Sequence, residues 1–271
     1  MNYFTPAEFV ENYALIGEKK ANAPVWKLFL LGIFGGLFIG LGGAVTSTVS
    51  HSLTNVGLIR LVSGLLFPFG LITIIMTGTE LFTGNVLISI SVLEKKATVG
   101  GMLKNLAAVY LGNFAGSLLL AAGLAFFGQM NYSSGMLGEY TIKIAALKCS
   151  LPFWNAFVSG ILCNILVCAG VVLSLSAKDV AGRAIGAFVP VALFVLCGFE
   201  HCVANMYFVP AGLFALTVPK YAALAVEAGL DTSVLTWGNF LLKNLLPVTL
   251  GNIVGGVALG ATLWVANRKK G

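Results

Sequence analysis

The chain has 271 residues, 58% of them apolar and 10% charged, with a formal net charge of +6 and a mean hydropathy of +0.94. So low a charged fraction, with apolar runs longer than about 18 residues, excludes a water-soluble globule and makes the bilayer core the solvent for most of the chain. The surplus of Lys and Arg is read as a membrane-orientation signal and not as nucleic-acid binding, and the 33 glycines set inside continuous apolar runs argue for helices over an outer-membrane barrel.

In chain order, Thr5-Pro6-Ala7-Glu8 is a capping box, and Phe9, Val10, Tyr13, Ala14 and Ile16 follow at helical spacing. Residues 1–24 are therefore expected to form an amphipathic surface helix, with no signal peptide removed, and residues 25–271 a membrane domain. Apolar stretches at about 26–49, 58–93, 104–128, 152–176, 184–216 and 236–266 predict six crossings. The second and fifth are far longer than a span needs. Each is expected to be broken at its centre, because 77–85 and 198–205 put glycine, a carboxylate and amides at mid-membrane depth.

Six crossings place both termini on one side. With that side cytoplasmic, Lys19, Lys20, Lys27, Lys95, Lys96, Lys104, Lys178, Arg183, Arg268, Lys269 and Lys270 are inside, against Arg60, Lys143, Lys148, Lys220 and Lys243 outside. The loop at 94–103 is then cytoplasmic and the loop at 129–147 external. Trp26, Trp154, Trp237 and Trp264 fall near span ends, and the five cysteines read as small core residues, not ligands or disulfides.

Residues 103–113 match 242–252 at eight of eleven positions, and the two breaks share Gly-x-Glu-x-x-x-x-Asn at Gly78, Glu80, Asn85 and at Gly198, Glu200, Asn205. Each half, about 25–128 and 152–267, holds three crossings, and an odd number forces the second half to run upside down relative to the first. The fold class is thus an all-α membrane protein of six transmembrane helices in two inverted three-helix repeats, with broken second and fifth helices meeting near the midplane. Such a meeting point suits a permeation pathway. Glycines at four-residue spacing (Gly32, Gly36, Gly40; Gly112, Gly116; Gly251, Gly255) read as close helix packing.

Among candidate functional residues, His201 falls in the second break, where an ionisable side chain is a functional candidate by default. Glu80 and Glu200 are expected to be structural, accepting backbone N–H groups freed by the breaks, and Asn85 and Asn205 to cap the half-helices that follow. Lys148, in a nearly uncharged stretch, could draw an anion to the outer mouth or simply be solvated. No nucleophile, metal-ligand or phosphate-loop motif is present, so neither enzymatic activity nor a metal or cofactor is expected.

Gly-Thr-Glu-Leu-Phe-Thr-Gly-Asn at 78–85, Ala-Leu-Lys-Cys at 146–149, Gly-Phe-Glu-His-Cys-Val-Ala-Asn-Met at 198–206 and Asn-Leu-Leu-Pro-Val-Thr-Leu-Gly-Asn-Ile-Val-Gly-Gly at 244–256 resemble the formate/nitrite transporter family along essentially the whole chain. Within it the sequence is most similar to the bacterial hydrosulfide channel branch. The resemblance implies a homopentamer of aquaporin-like protomers in the lipid of a bacterial cytoplasmic membrane, each with its own pore for a small monovalent anion such as hydrosulfide, formate or nitrite. It implies His201 as pore histidine, Thr83 as the opposing loop threonine, Lys148 as vestibule lysine, and Asn164 and Asn252 as polar pore residues. It further implies Leu71 and Phe194 at a cytoplasmic constriction, and Phe67, Phe82 and Val167 at a periplasmic one. Cys202 stands where many members carry serine. A proton-coupled carrier for the same weak-acid anions and a neutral-solute pore are the competing readings.

Overall fold

A computed structural model describes residues 2–268; Lys269 and Lys270 of the charge count lie outside the described residues. The chain runs α1 (Pro6–Asn22), α2 (Val25–Ser50), α3 (Val56–Leu66), α4 (Phe69–Thr77), α5 (Phe82–Asn85), α6 (Ile88–Leu93), α7 (Val99–Phe126), α8 (Met136–Cys149), α9 (Phe153–Ser176), α10 (Val180–Cys197), α11 (Cys202–Leu216), α12 (Pro219–Glu227), α13 (Trp237–Asn239) and α14 (Leu246–Asn267). Six segments are long and apolar enough to span a bilayer: Val25–Ser50, Val56–Thr77, Val99–Phe126, Phe153–Ser176, Val180–Cys197 and Trp237–Asn267. After the fifth, Cys202–Leu216 and Pro219–Glu227 meet at a bend of 96°.

The interruptions have local causes. Pro68 has no N–H to donate, and the helix divides there into α3 and α4. Pro247 likewise cannot bond back, and the preceding turn, Phe240–Leu245, widens into a π-helix. Both α4 and α10 stop at a glycine in the left-handed conformation, Gly78 at φ 70° and Gly198 at φ 72°. The chain then crosses to α5 and α11 through four non-helical residues each.

The inverted repeat is visible in the packing. α2 lies against α7, and α9 against α14, with backbones brought together at the spaced glycines. A methyl group on Gly36 would come within 2.0 Å of the Asn113 carbonyl oxygen, so no larger residue fits. Gly36→Val is therefore expected to cost at least about 3 kcal/mol and to abolish a monodisperse oligomer peak in detergent size-exclusion chromatography.

Two elements were not expected from the sequence in this form. α1 has the capping box, with the Thr5 N–H donating to Glu8 Oε2 at 2.7 Å, but its apolar stripe of Phe9, Val10, Tyr13 and Ala14 is buried against protein, chiefly α6. The stretch read as the 129–147 loop holds α8, which packs on α11 as α1 packs on α6. α1 and α8 are thus the two-fold mates that precede the two repeats, and they label the two faces of the molecule. On the α1 face, residues 2–4 lie along 176–178: Phe4 N–H donates to Ser176 O at 2.8 Å and Lys178 N–H to Asn2 O at 3.2 Å.

Candidate functional site

Each break is held by one asparagine from the third span of its own repeat. Asn113 Oδ1 accepts from the Phe82 N–H at 2.9 Å, while its Nδ2 donates to Gly32 O at 2.7 Å and Glu80 O at 2.9 Å. Asn252 repeats the pattern, accepting from the Cys202 N–H at 2.9 Å and donating to Gly160 O at 2.8 Å and Glu200 O at 3.1 Å. A buried amide can satisfy one donor and two acceptors at once, which is what an interrupted helix leaves open.

Beyond each asparagine lies an ionic cluster. On the α1 face Lys20 Nζ meets Glu80 Oε2 at 2.5 Å and Asn85 Oδ1 at 2.9 Å, and Asn85 Nδ2 donates to Glu80 Oε2 and to Asn105 Oδ1. On the α8 face Lys148 Nζ meets both Glu200 oxygens at 2.9 and 3.1 Å, and Asn205 Nδ2 donates to Glu200 Oε2 and to Asn244 Oδ1. Asn105 and Asn244 close the circuit by donating to the carbonyls of Lys20 and Lys148. These contacts correct two expectations. The glutamates accept from lysine and asparagine side chains, not from freed backbone N–H groups, and Asn85 and Asn205 bridge carboxylate to asparagine instead of capping helices. Each amide lies one helical turn past the break, where it reaches its glutamate and no open N–H.

The cap of α11 is His201. Its Nδ1 accepts from the Ala204 N–H at 3.2 Å, so the ring proton sits on Nε2 and is donated to Thr83 Oγ1 at 2.7 Å. The Thr83 hydroxyl proton is left to point elsewhere. Asn164 Nδ2 donates to Asn252 O at 2.6 Å and Thr83 O at 3.2 Å, and Cys168 Sγ to Thr83 O at 3.5 Å. His201 is 2% exposed and Thr83, Asn164 and Asn252 0%. The two-fold breaks down at this point: His201 stands where the first repeat has Leu81, and Thr83 where the second has Val203. The scaffold residues come in matched pairs and the central polar pair does not.

Around it the walls are apolar. Ile39, Phe67, Leu71, Leu81, Val167, Val191, Phe194 and His201 enclose about 10 Å³, barely room for one water. Toward the α1 face a cavity of about 210 Å³ opens, bounded by Leu71, Leu81, Ile74, Tyr13, Lys20, Glu80 and Asn85. The expected grouping of constriction residues changes accordingly. Phe194 stacks edge-on against Phe67 at 5.8 Å, whereas Leu71 joins Leu81 between the small cavity and the large one. Phe82 turns away and packs on Tyr110 at 4.8 Å. Leu71 borders both cavities, whereas Phe194 borders only the small one.

Lys20, Asn105, Asn113, Asn244 and Leu81 were not singled out from the sequence. A signal existed for the asparagines, since Asn105, Asn113, Asn244 and Asn252 are all invariant in the eleven-residue repeat match. Lys20 precedes Trp26 by the same interval as Lys148 precedes Trp154.

A family profile described as "Formate/nitrite transporter" matches residues 7–266. The chain is 37% identical over 256 residues to the formate channel FocA of Haemophilus influenzae, covering 93% of this chain and 90% of the relative. It is 35% identical over 265 residues to the formate channel FocA of Escherichia coli K12, covering 96% and 93%. Its fold matches a solved structure titled a pentameric formate channel with formate bound, with a TM-score of 0.79, 35% identity and coverage of 92% of this chain and 98% of that one. A second, titled an FNT family ion channel, gives a TM-score of 0.78 at 26% identity, covering 96% and 98%. None of these relatives is described as a hydrosulfide channel.

Proposed function

This chain belongs to the formate/nitrite transporter family, and from that premise we propose that it is a channel for small monovalent anions, formate first, with nitrite and hydrosulfide as further candidates. In this reading residues 1–24 form an accessory helix segment and 25–271 the pore-bearing body, five copies assemble in the bacterial cytoplasmic membrane, and the α1 face with both termini is cytoplasmic. The pentameric formate channel of similar fold supports the assembly and the substrate.

The observation that carries the proposal is the Thr83–His201 bond at the centre of an otherwise apolar slit. A bare anion cannot pass such a slit unless fixed donors replace its water. The Thr83 hydroxyl, its oxygen already accepting from His201 Nε2–H, is the donor left free there, and α11 directs the positive end of its dipole at the same point. A weak-acid anion that takes a proton from vestibule water, leaving hydroxide behind there, crosses the remaining apolar wall as a neutral molecule, which a halide cannot do. Asn164 and Asn252 hold the pair in place; Phe67, Leu71, Leu81, Val167 and Phe194 exclude hydrated ions, and Phe82 supports them from behind.

The test is a flux panel in proteoliposomes: formate, nitrite, hydrosulfide and chloride across a range of pH. Rapid flux of formate without an imposed proton gradient, above chloride at every pH, is the expected result. Uptake that requires a proton gradient would establish the carrier mechanism instead, and glycerol or water passage indifferent to competing anions would establish a neutral-solute pore.

A further inference from the structure

The two vestibules are built from matched parts, but their charges differ. The lysine of each is spent on a glutamate: Lys20 on Glu80 and Lys148 on Glu200, the two carboxylate–lysine bridges among the described residues at the breaks. Neither cluster contributes a full net charge, so Lys148 is a poor lure for an anion.

The α8 face carries one more cation against its break. The loop 78–81 lines the cavity on the α1 face; its two-fold mate 198–201 lies toward the α8 face, where Gly198 and Phe199 are half-buried and Glu200 meets Lys148. The Arg60 guanidinium lies on Gly198: a methyl group built there would sit 2.6 Å from Nη1 and 2.9 Å from Nη2. At Gly78, its mate, nothing lies within 4 Å of the same point. Arg60 is exposed in the protomer. No carboxylate bridges to it among the described residues. Capping of α10 is a weaker account, because the Phe194 and Val195 carbonyls already accept from the Phe199 and Gly198 N–H groups at 3.0 Å each.

We propose that Arg60 is the charge-selecting residue of the α8-face mouth, an unpaired guanidinium that raises the local concentration of small monovalent anions where the break loop opens to solvent. The inference rests on the anion-channel reading above. It makes the two mouths electrically unequal although their scaffolds are equivalent, and it divides the labour: Lys148 holds the loop and Arg60 supplies the field.

The test is a charge series at position 60 in the full chain, reconstituted in proteoliposomes, with flux normalised to assembled protein. At low ionic strength Arg60→Lys is expected to retain parent permeability, Arg60→Gln to lose about threefold, and Arg60→Glu about tenfold, the spread expected of one and two unit charges a few Å away in water. About 0.5 M of an impermeant salt should collapse the series, since the Debye length then falls below 5 Å. Lys143→Gln, which removes an exposed charge elsewhere on α8, should change permeability less than Arg60→Gln. Equal flux for Arg, Gln and Glu, or a loss that salt leaves unchanged, overturns the proposal, as does loss of assembly in both Arg60→Lys and Arg60→Gln. The parent protein tests the substrate reading separately. Passage of nitrite or hydrosulfide but not formate overturns formate as substrate, and the series is then read on the anion that passes; passage of none overturns both.

Discussion

His201→Asn is expected to lower the flux of formate and other weak-acid anions by at least about tenfold while the protein still assembles. The substitution separates the two jobs of the side chain. Asparagine is among the best N-cap residues, so the bond now made from the Ala204 N–H to His201 Nδ1 has a replacement in the amide oxygen. The shorter side chain cannot also reach Thr83 Oγ1, 2.7 Å from Nε2 in the parent. A hydrogen bond to a charged group is worth about 1.5–3 kcal/mol, which sets the tenfold floor. Chloride flux should change less, and the pH dependence of formate flux should flatten, because the slit no longer orients the Thr83 hydroxyl toward an anion that must meet a solvent proton to cross. Flux measured against pH for both anions decides it. A variant matching the parent in rate, pH profile and weak-acid preference would make His201 a helix cap and nothing more.

The second large effect belongs to the ionic clusters. Lys148→Met removes the partner from a carboxylate that is almost fully enclosed and leaves Glu200 with only the Asn205 amide. Breaking one half of such a pair costs about 3 kcal/mol or more, mostly the penalty of an uncompensated charge. Thermal loss of the oligomer should come at markedly lower temperature than in the parent. Adding Glu200→Gln should restore most of the stability, since a neutral amide can still accept from Asn205. Flux through the double variant should return with it if the pair is scaffolding. A double variant as unstable as the single one would mean that Lys148 acts through its contact with Phe208, whose ring centroid lies 5.5 Å from Nζ, and not through the charge pair.

The six spans, the two breaks and the inverted repeat were legible in the sequence because each is written in identity or in length: the same Lys-Asn and Gly-Asn pairs recur, and two apolar runs are too long for a single crossing. What failed was anything that depends on where a side chain goes after the turn. Asn85 and Asn205 looked like caps because caps are local, yet their amides reach Asn105 and Asn244, many residues away. α8 was hidden because Glu139, Lys143 and Lys148 dilute its apolar residues and make it read as a loop. Phe194 and Leu71 were assigned to one constriction; both line the small cavity, and only the folded arrangement shows that Leu71 alone also borders the large one. His201 stood out from residue type and position and Thr83 only through the family resemblance, but their direct bond is a tertiary fact. Lys20 was obscured by Lys19 beside it, two cations of which one faces the cluster.

The pairing of residues 2–4 with 176–178 also orders events during synthesis. Asn2, Tyr3 and Phe4 are made before any span, yet the backbone groups that receive them follow some 170 residues later, after the fourth span. Part of the α1 surface waits longer still, for α14 at the end of the chain. The N-terminal helix therefore cannot take its final seat while the translocon is still delivering spans, and the mouth it helps to wall is finished last. A nascent chain arrested before α14 would lack both Asn252, which holds the second break and its histidine, and part of the seat for α1, so the pore and its entrance are completed by the same last span.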